Sequence, residues 1–141
     1  MTTLVVDASI AIKWVIDEEG TAQALALHRQ AKLMAPEFLV AERANVLWKK
    51  VRRRELFTEE ALMAARLLQA APVELVPTRS LLAAATRLAI ELDHPAYDAL
   101  AIENDCRFVT ADRHFLLKVG GGGPSQYRAR AVALSEAAGR S

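Results

Sequence analysis

Three features of the sequence point to an α/β domain built on a mostly parallel sheet. Short continuous apolar runs, partly β-branched, recur along the chain, as expected of strands buried on both faces. Stretches with helical apolar periodicity separate these runs. Strands and helices therefore alternate, and that order implies right-handed crossovers between parallel strands. The third feature is the absence of any internal repeat or linker within the 141 residues, of which 52% are hydrophobic. One domain over residues 1–141, with a real core, is the economical reading.

The elements follow in order. Residues 3–6 form a first strand ending Leu4-Val5-Val6. Asp7-Ala8-Ser9 breaks it, with Ser9 as the N-cap of a short helix to about Val15. Residues 21–32 are helical. Leu33-Met34-Ala35 makes a second strand, which Pro36 stops while opening the next helix. Residues 37–54 and 58–71 are helical, the latter capped by Thr58. Val73-Glu74-Leu75-Val76 is a third strand. Residues 79–92 are helical, as is Pro95 to about Asp105. Arg107-Phe108-Val109-Thr110 is a fourth strand, and Asp112 to Leu117 a short helix. Four glycines at 120–123 and Pro124 make a flexible loop before a weaker fifth strand, residues 131–134.

Composition excludes some classes. Lysine plus arginine total 18 and aspartate plus glutamate 17, a formal net charge of +1. That balance neither demands nor excludes a nucleic-acid partner, so charge clustering must decide. Cys106 is the one cysteine. It rules out an intrachain disulfide, disfavours a thiolate zinc site, and is read as a small core residue. No signal peptide is visible and no run approaches about 18 apolar residues. A soluble, cytoplasmic protein with no membrane partner is expected. His28, His94 and His114 are scattered without metal-ligand spacing. Trp14 and Trp48 lie on helical apolar stripes, as core or dimer contacts.

Four acids sit where acids are costly. Asp7 ends Leu4-Val5-Val6, and Glu42 lies within Phe38-Leu39-Val40-Ala41-Glu42. Asp98 opens Ala99-Leu100-Ala101-Ile102, and Asp112 follows Phe108-Val109-Thr110-Ala111. A carboxylate among apolar groups is unfavourable unless paired, hydrogen-bonded or metal-bound. Asp7 and Asp112 follow strand ends, the edge where open α/β sheets bind ligands. Asp98 falls in a first helical turn, where a capping role is also open. Helical spacing puts it on one inward face with Ala101 and Ile102. Glu42 shares the stripe of Leu39 and Val46, with Asn45 within reach to orient it. Two carboxylates about 4 Å apart repel by roughly 4 kcal/mol at an effective dielectric near 20. Four together require a bridging cation or raised pKa values. Oxygen donors alone select magnesium or manganese. Such ions hold phosphate oxygens and activate water, so phosphodiester hydrolysis is the matching chemistry. Four unrelated caps and surface acids would account for Asp98 and Asp112 but not for Glu42.

The segments Val5-Val6-Asp7-Ala8-Ser9, Pro36 to Leu47, His94-Pro95-Ala96-Tyr97-Asp98-Ala99-Leu100-Ala101 and Phe108-Val109-Thr110-Ala111-Asp112 resemble the PIN-domain family. They are most similar to its VapC-type toxins, and the likeness spans nearly the whole chain. The resemblance implies a five-stranded parallel sheet in an α/β/α sandwich. It implies a Mg2+- or Mn2+-dependent endoribonuclease, and a homodimer neutralised by a VapB-type antitoxin. The family's acidic quartet falls on Asp7, Glu42, Asp98 and Asp112, as catalytic and metal-holding residues. Its small hydroxyl positions fall on Ser9 and Thr110, which would orient carboxylates or a water.

This chain departs from the pattern at Glu103 and Asp105, extra acids read either as solvated helix residues or as part of the metal environment. Lys49, Lys50, Arg52, Arg53 and Arg54 form the one dense basic cluster. They are either a solvated helix end, where cations are favourable, or a contact for RNA or an acidic antitoxin segment. Two other functions compete with the nuclease. A non-catalytic regulator of the same fold would gain nothing from clustered negative charge beside phosphate. A phosphotransfer domain using Asp7 would need a lysine at a later strand end, and Lys118 lies past the motif.

Overall fold

The computed structural model describes residues 2–90, 95–111 and 131–138. Five strands form one sheet: β1 (Thr2–Val6), β2 (Ala31–Pro36), β3 (Val73–Val76), β4 (Arg107–Thr110) and β5 (Ala131–Ala133). Their spatial order is β3-β2-β1-β4-β5. Every pairing is parallel, with Val5 opposite Met34 and Phe108, and Thr110 opposite Ala133.

Alternation along the strands buries both faces, which is why these runs read as continuously apolar. Val5, Met34 and Phe108 pack on one side with Leu39, Leu88, Tyr97 and Leu100. Leu4, Val6, Leu33 and Val109 pack on the other with Ile10, Ala24, Leu27 and Leu134. The helices supplying those partners are α1 (Ala8–Ala11), α2 (Thr21–Gln30), α3 (Leu39–Arg52), α5 (Leu82–Ala89), α6 (Pro95–Glu103) and α7 (Leu134–Ala138). The result is the expected sandwich of helices on both faces of a sheet. A third apolar cluster joins Ala11 and Ile12 to Leu47 of α3 and to Ala61, Ala64 and Leu68 of α4 (Thr58–Ala70).

Several local expectations are corrected. Ser9 is not the N-cap of α1. Asp7 is, its Oδ1 accepting from the Ile10 amide at 3.3 Å. Thr58 does not cap α4 either. Phe57 holds the cap position, and its amide donates to Glu60 Oε1 at 2.8 Å. The helix after β1 tightens at Ile12–Trp14 into a 3₁₀ turn, and another 3₁₀ turn at Arg79–Leu81 precedes α5. β2 begins at Ala31, so α2 stops at Gln30 instead of running to residue 32. Leu134 leaves the last strand early to open α7, a helix with too short a pattern to stand out in the sequence. The helix expected at 112–117 and the glycine loop lie outside the described residues. No helix among the described residues is long and apolar enough to cross a membrane.

Gly20 starts α2 in the left-handed region at φ 89°. A Cβ there would come within 3.1 Å of Leu134 Cδ2. Glycine thus serves both the turn and the close approach of α7.

Candidate active site

The sheet order changes direction at β1. The chain winds outward from β1 through β2 to β3, then returns to place β4 on the other side of β1. In an open α/β sheet this switch opens a crevice at the carboxyl ends of the two central strands. Asp7 stands at the end of β1 and Thr110 at the end of β4, 2% and 0% exposed. Ser9 Oγ donates to Asp7 Oδ1 at 2.5 Å, and Thr110 Oγ1 donates to Asp7 Oδ2 at 2.6 Å. Ser9 Oγ in turn accepts from the Ala111 amide at 3.1 Å. Two hydroxyls and the Ile10 amide therefore fix a buried carboxylate at the switch, and the Ala111 amide holds Ser9 in turn. Hydrogen bonds to an ionised group are the strong kind, and they offset its burial.

Glu42 reaches the site from the first turn of α3, half-buried. Its Oε1 accepts from the hydroxyl of Tyr97, which lies in the first turn of α6 with its side chain fully buried. The Ala8 backbone also bonds that hydroxyl, and the charges of Glu42 and Asp7 both act on it. Burial first, then the bond to Glu42 and these charges, push the Tyr97 hydroxyl far above the ordinary phenol value. It therefore remains protonated and donates. Tyr97 is the site residue that sequence reasoning missed. Its contact to Glu42 spans 55 positions, which no local pattern reveals. Its place in the third motif, directly before Asp98, was the available signal.

Asp98 is 3% exposed in the first turn of α6. Its companions differ from the expected face. Ala101 is buried with it, but Ile102 turns outward. Asn45, expected near Glu42, is exposed on α3. Asp112 lies outside the described residues. Glu103, Asn104 and Asp105 are exposed. Asp105 lines a cavity with Thr2, Thr3 and Arg107, at the amino ends of β1 and β4 and so opposite Asp7. Glu103 ends α6 and Asp105 follows it.

Arg43 is a second unforeseen feature. It is 7% exposed in the middle of the apolar stripe of α3, between Leu39 and Leu47. Its Nη1 donates to the Leu68 carbonyl at 3.2 Å, joining α3 to α4. Burial lowers its pKa from the usual arginine value, while neighbouring Tyr97 acts in the opposite sense. The basic cluster at the end of α3 is exposed except for Lys50, which pairs with Glu18 at 3.7 Å and Glu55 at 3.4 Å. Arg52 lies 5.2 Å from the ring centroid of Trp48, itself 55% exposed. Trp14 is half-buried, donating to the Ala24 carbonyl and packing on His28, a structural pairing. Cys106 is half-buried against the core, and His94 and His114 lie outside the described residues.

The donor chemistry fits a hard cation. Glu42 accepts from the buried Tyr97 hydroxyl and the charge of Asp7 acts on the same group, so these two acids offer carboxylate oxygens around one point. Asp98 is a third buried carboxylate, in the first turn of α6. Among the described residues, no three acidic, histidine or cysteine side chains form a complete metal-holding group.

Comparison with known proteins bears on the family and the fold. Residues 4–120 match the PIN domain family. The crystal structure of PAE2754 from Pyrobaculum aerophilum is similar over 99% of this chain and 88% of that one, with a TM-score of 0.68 at 22% identity. At that identity the likeness speaks for the fold alone. No curated protein matches the chain significantly.

Proposed function

This chain belongs to the PIN-domain family, generally metal-dependent nucleases, and on that premise we propose that it is an endoribonuclease hydrolysing RNA phosphodiester bonds with Mg2+ or Mn2+. The observation that carries this reading is the Asp7 carboxylate, fixed by Ser9 and Thr110 at the switch point of the sheet. Asp7, Glu42 and Asp98, with Asp112, would hold the cation. When bound there, a divalent ion neutralises phosphate oxygens and lowers the pKa of water. The residues of the chain do the rest. Ser9 and Thr110 keep Asp7 in one rotamer, and the apolar packing behind it limits bulk water. The acids alone would repel a phosphate, so a pure RNA binder has no use for them.

The wider role we assign is the toxin of a toxin–antitoxin pair, active as a homodimer and neutralised by a VapB-type antitoxin. A groove of about 570 Å³ between α4 and the segment that follows the 3₁₀ turn is where we seat that partner, its apolar lining of Val15, Ile16, Leu56, Met63 and Leu67 bordered by Asp17, Glu55, Glu59 and Glu60. Exposed Val40, Leu75 and Leu82 offer further apolar surface for a second copy.

The test is cleavage of RNA by purified protein with Mn2+ or Mg2+. EDTA should stop the wild type. Asp7→Asn should lower cleavage by at least about 100-fold, the scale of losing one preorganised electrostatic group, with an unchanged circular dichroism spectrum. Retained cleavage by folded Asp7→Asn protein would overturn the assignment.

A further inference from the structure

We infer that Tyr97 is a positioning residue of the acidic site, its hydroxyl holding the Glu42 carboxylate beside Asp7 before any cation arrives. The inference rests on the nuclease reading above and adds a role to a residue that reading does not use.

Three elements meet at one hydroxyl. The ring stands in the first turn of α6, Glu42 comes from α3, and Ala8 opens α1 directly after Asp7. The ring has no freedom to swing away. Its side chain is fully buried, with Phe38 at 5.2 Å in an edge arrangement and Phe108 at 5.5 Å between centroids. Phe108 belongs to β4, so the ring is braced against the sheet itself. The hydroxyl thus bonds the Glu42 carboxylate from a fixed point, with the Ala8 backbone on its other side. A glutamate has three rotatable side-chain bonds and loses substantial rotamer freedom when ordered. Asp7 has its own two hydroxyl donors, whereas Glu42 receives its brace from a residue 55 positions away. Partners that orient metal-holding carboxylates typically affect metal affinity by about 10–100-fold.

Tyr97→Phe keeps the ring and removes only the hydroxyl. Mn2+ binding is read by electron paramagnetic resonance of free Mn2+, in parallel for wild type, Tyr97→Phe and Asp7→Asn. We expect Tyr97→Phe to bind Mn2+ about 10-fold or more weakly. Its cleavage rate should recover toward wild type as Mn2+ is raised, with an unchanged KM for RNA. A purely structural tyrosine would leave the Mn2+ affinity of the folded variant alone. Equal Mn2+ affinity in wild type and Tyr97→Phe overturns the inference while the nuclease reading stands. Wild-type binding no stronger than that of Asp7→Asn overturns both. A second measurement needs no variant: in wild-type protein with ring-labelled tyrosine, saturation with Mg2+ should shift the Tyr97 ring resonances. An unmoved resonance at saturation also overturns the inference.

Discussion

Thr110 is wholly buried and directs its hydroxyl at one oxygen of Asp7. Thr110→Val preserves the β-branched shape that the strand favours and deletes that single donor. The buried carboxylate then loses a hydrogen bond to a charged group, a contribution of about 1.5–3 kcal/mol. Urea denaturation should show that loss, RNA cleavage should fall with it, and Thr110→Ser should restore both. Equal stability of the valine variant would mean that Ser9 and the Ile10 amide suffice to hold Asp7. The burial of Asp7 and Asp98 was legible in the sequence, because a charge at the edge of an apolar run is an energetic anomaly wherever the chain goes. Their braces were legible only in part. Ser9 and Thr110 lie within two residues of Asp7 and Asp112, close enough for a motif to capture. Tyr97 and Arg43 were not, since an aromatic ring and a long aliphatic arginine stem both pass as ordinary helix residues. Their polar ends find partners, Glu42 and the Leu68 carbonyl, that only tertiary structure supplies.

Helix α4 has two faces. Ala61, Ala64 and Leu68 close the third apolar cluster, while Leu62, Met63 and Leu67 are each 53% exposed. Contiguous apolar groups on a surface mark binding sites more often than accident. If the groove beside Met63 and Leu67 seats an antitoxin helix, Met63→Asp with Leu67→Asp should abolish its inhibition. The small protein encoded by an adjacent reading frame is the partner to assay, and RNA cleavage by the variant alone should persist. Inhibition that survives both substitutions rules this groove out. Light scattering of the isolated chain should give twice its mass if it is a homodimer. At this scale the sequence was informative where elements are buried on both sides. β1, β2 and β4 read as continuous apolar runs for that reason. Caps were harder. The acid following β1 was read as a candidate site residue, so the neighbouring serine looked like the better cap, whereas Asp7 itself caps α1. α4 starts on Phe57, whose backbone, not its side chain, makes the capping bond.

Across the whole molecule the net charge is only +1, so any attraction for RNA must come from where the charges lie. The switch in strand order places Asp7 at the carboxyl edge of the sheet, and α3 carries Glu42 in its first turn and the exposed basic cluster at its far end. Ten residues from Glu42 to Arg52 correspond to about 15 Å along the helix axis. That exceeds a physiological Debye length of about 8 Å, so the two ends act on an RNA chain as separate points. A strand with its scissile phosphate at Asp7 could then lay a distant phosphate against Lys49, Arg52 and Arg53. Lys50 contributes less, being held by Glu18 and Glu55. Each phosphate contact on a single strand contributes about 0.7 to the slope of log binding constant against log salt. Replacing Lys49, Arg52 and Arg53 by glutamine should therefore make that slope shallower by up to about 2. Binding should be measured on Asp7→Asn protein, so that the RNA remains intact. An unchanged slope would assign the cluster to the electrostatics of the helix C-terminus, where cations are favourable without any ligand.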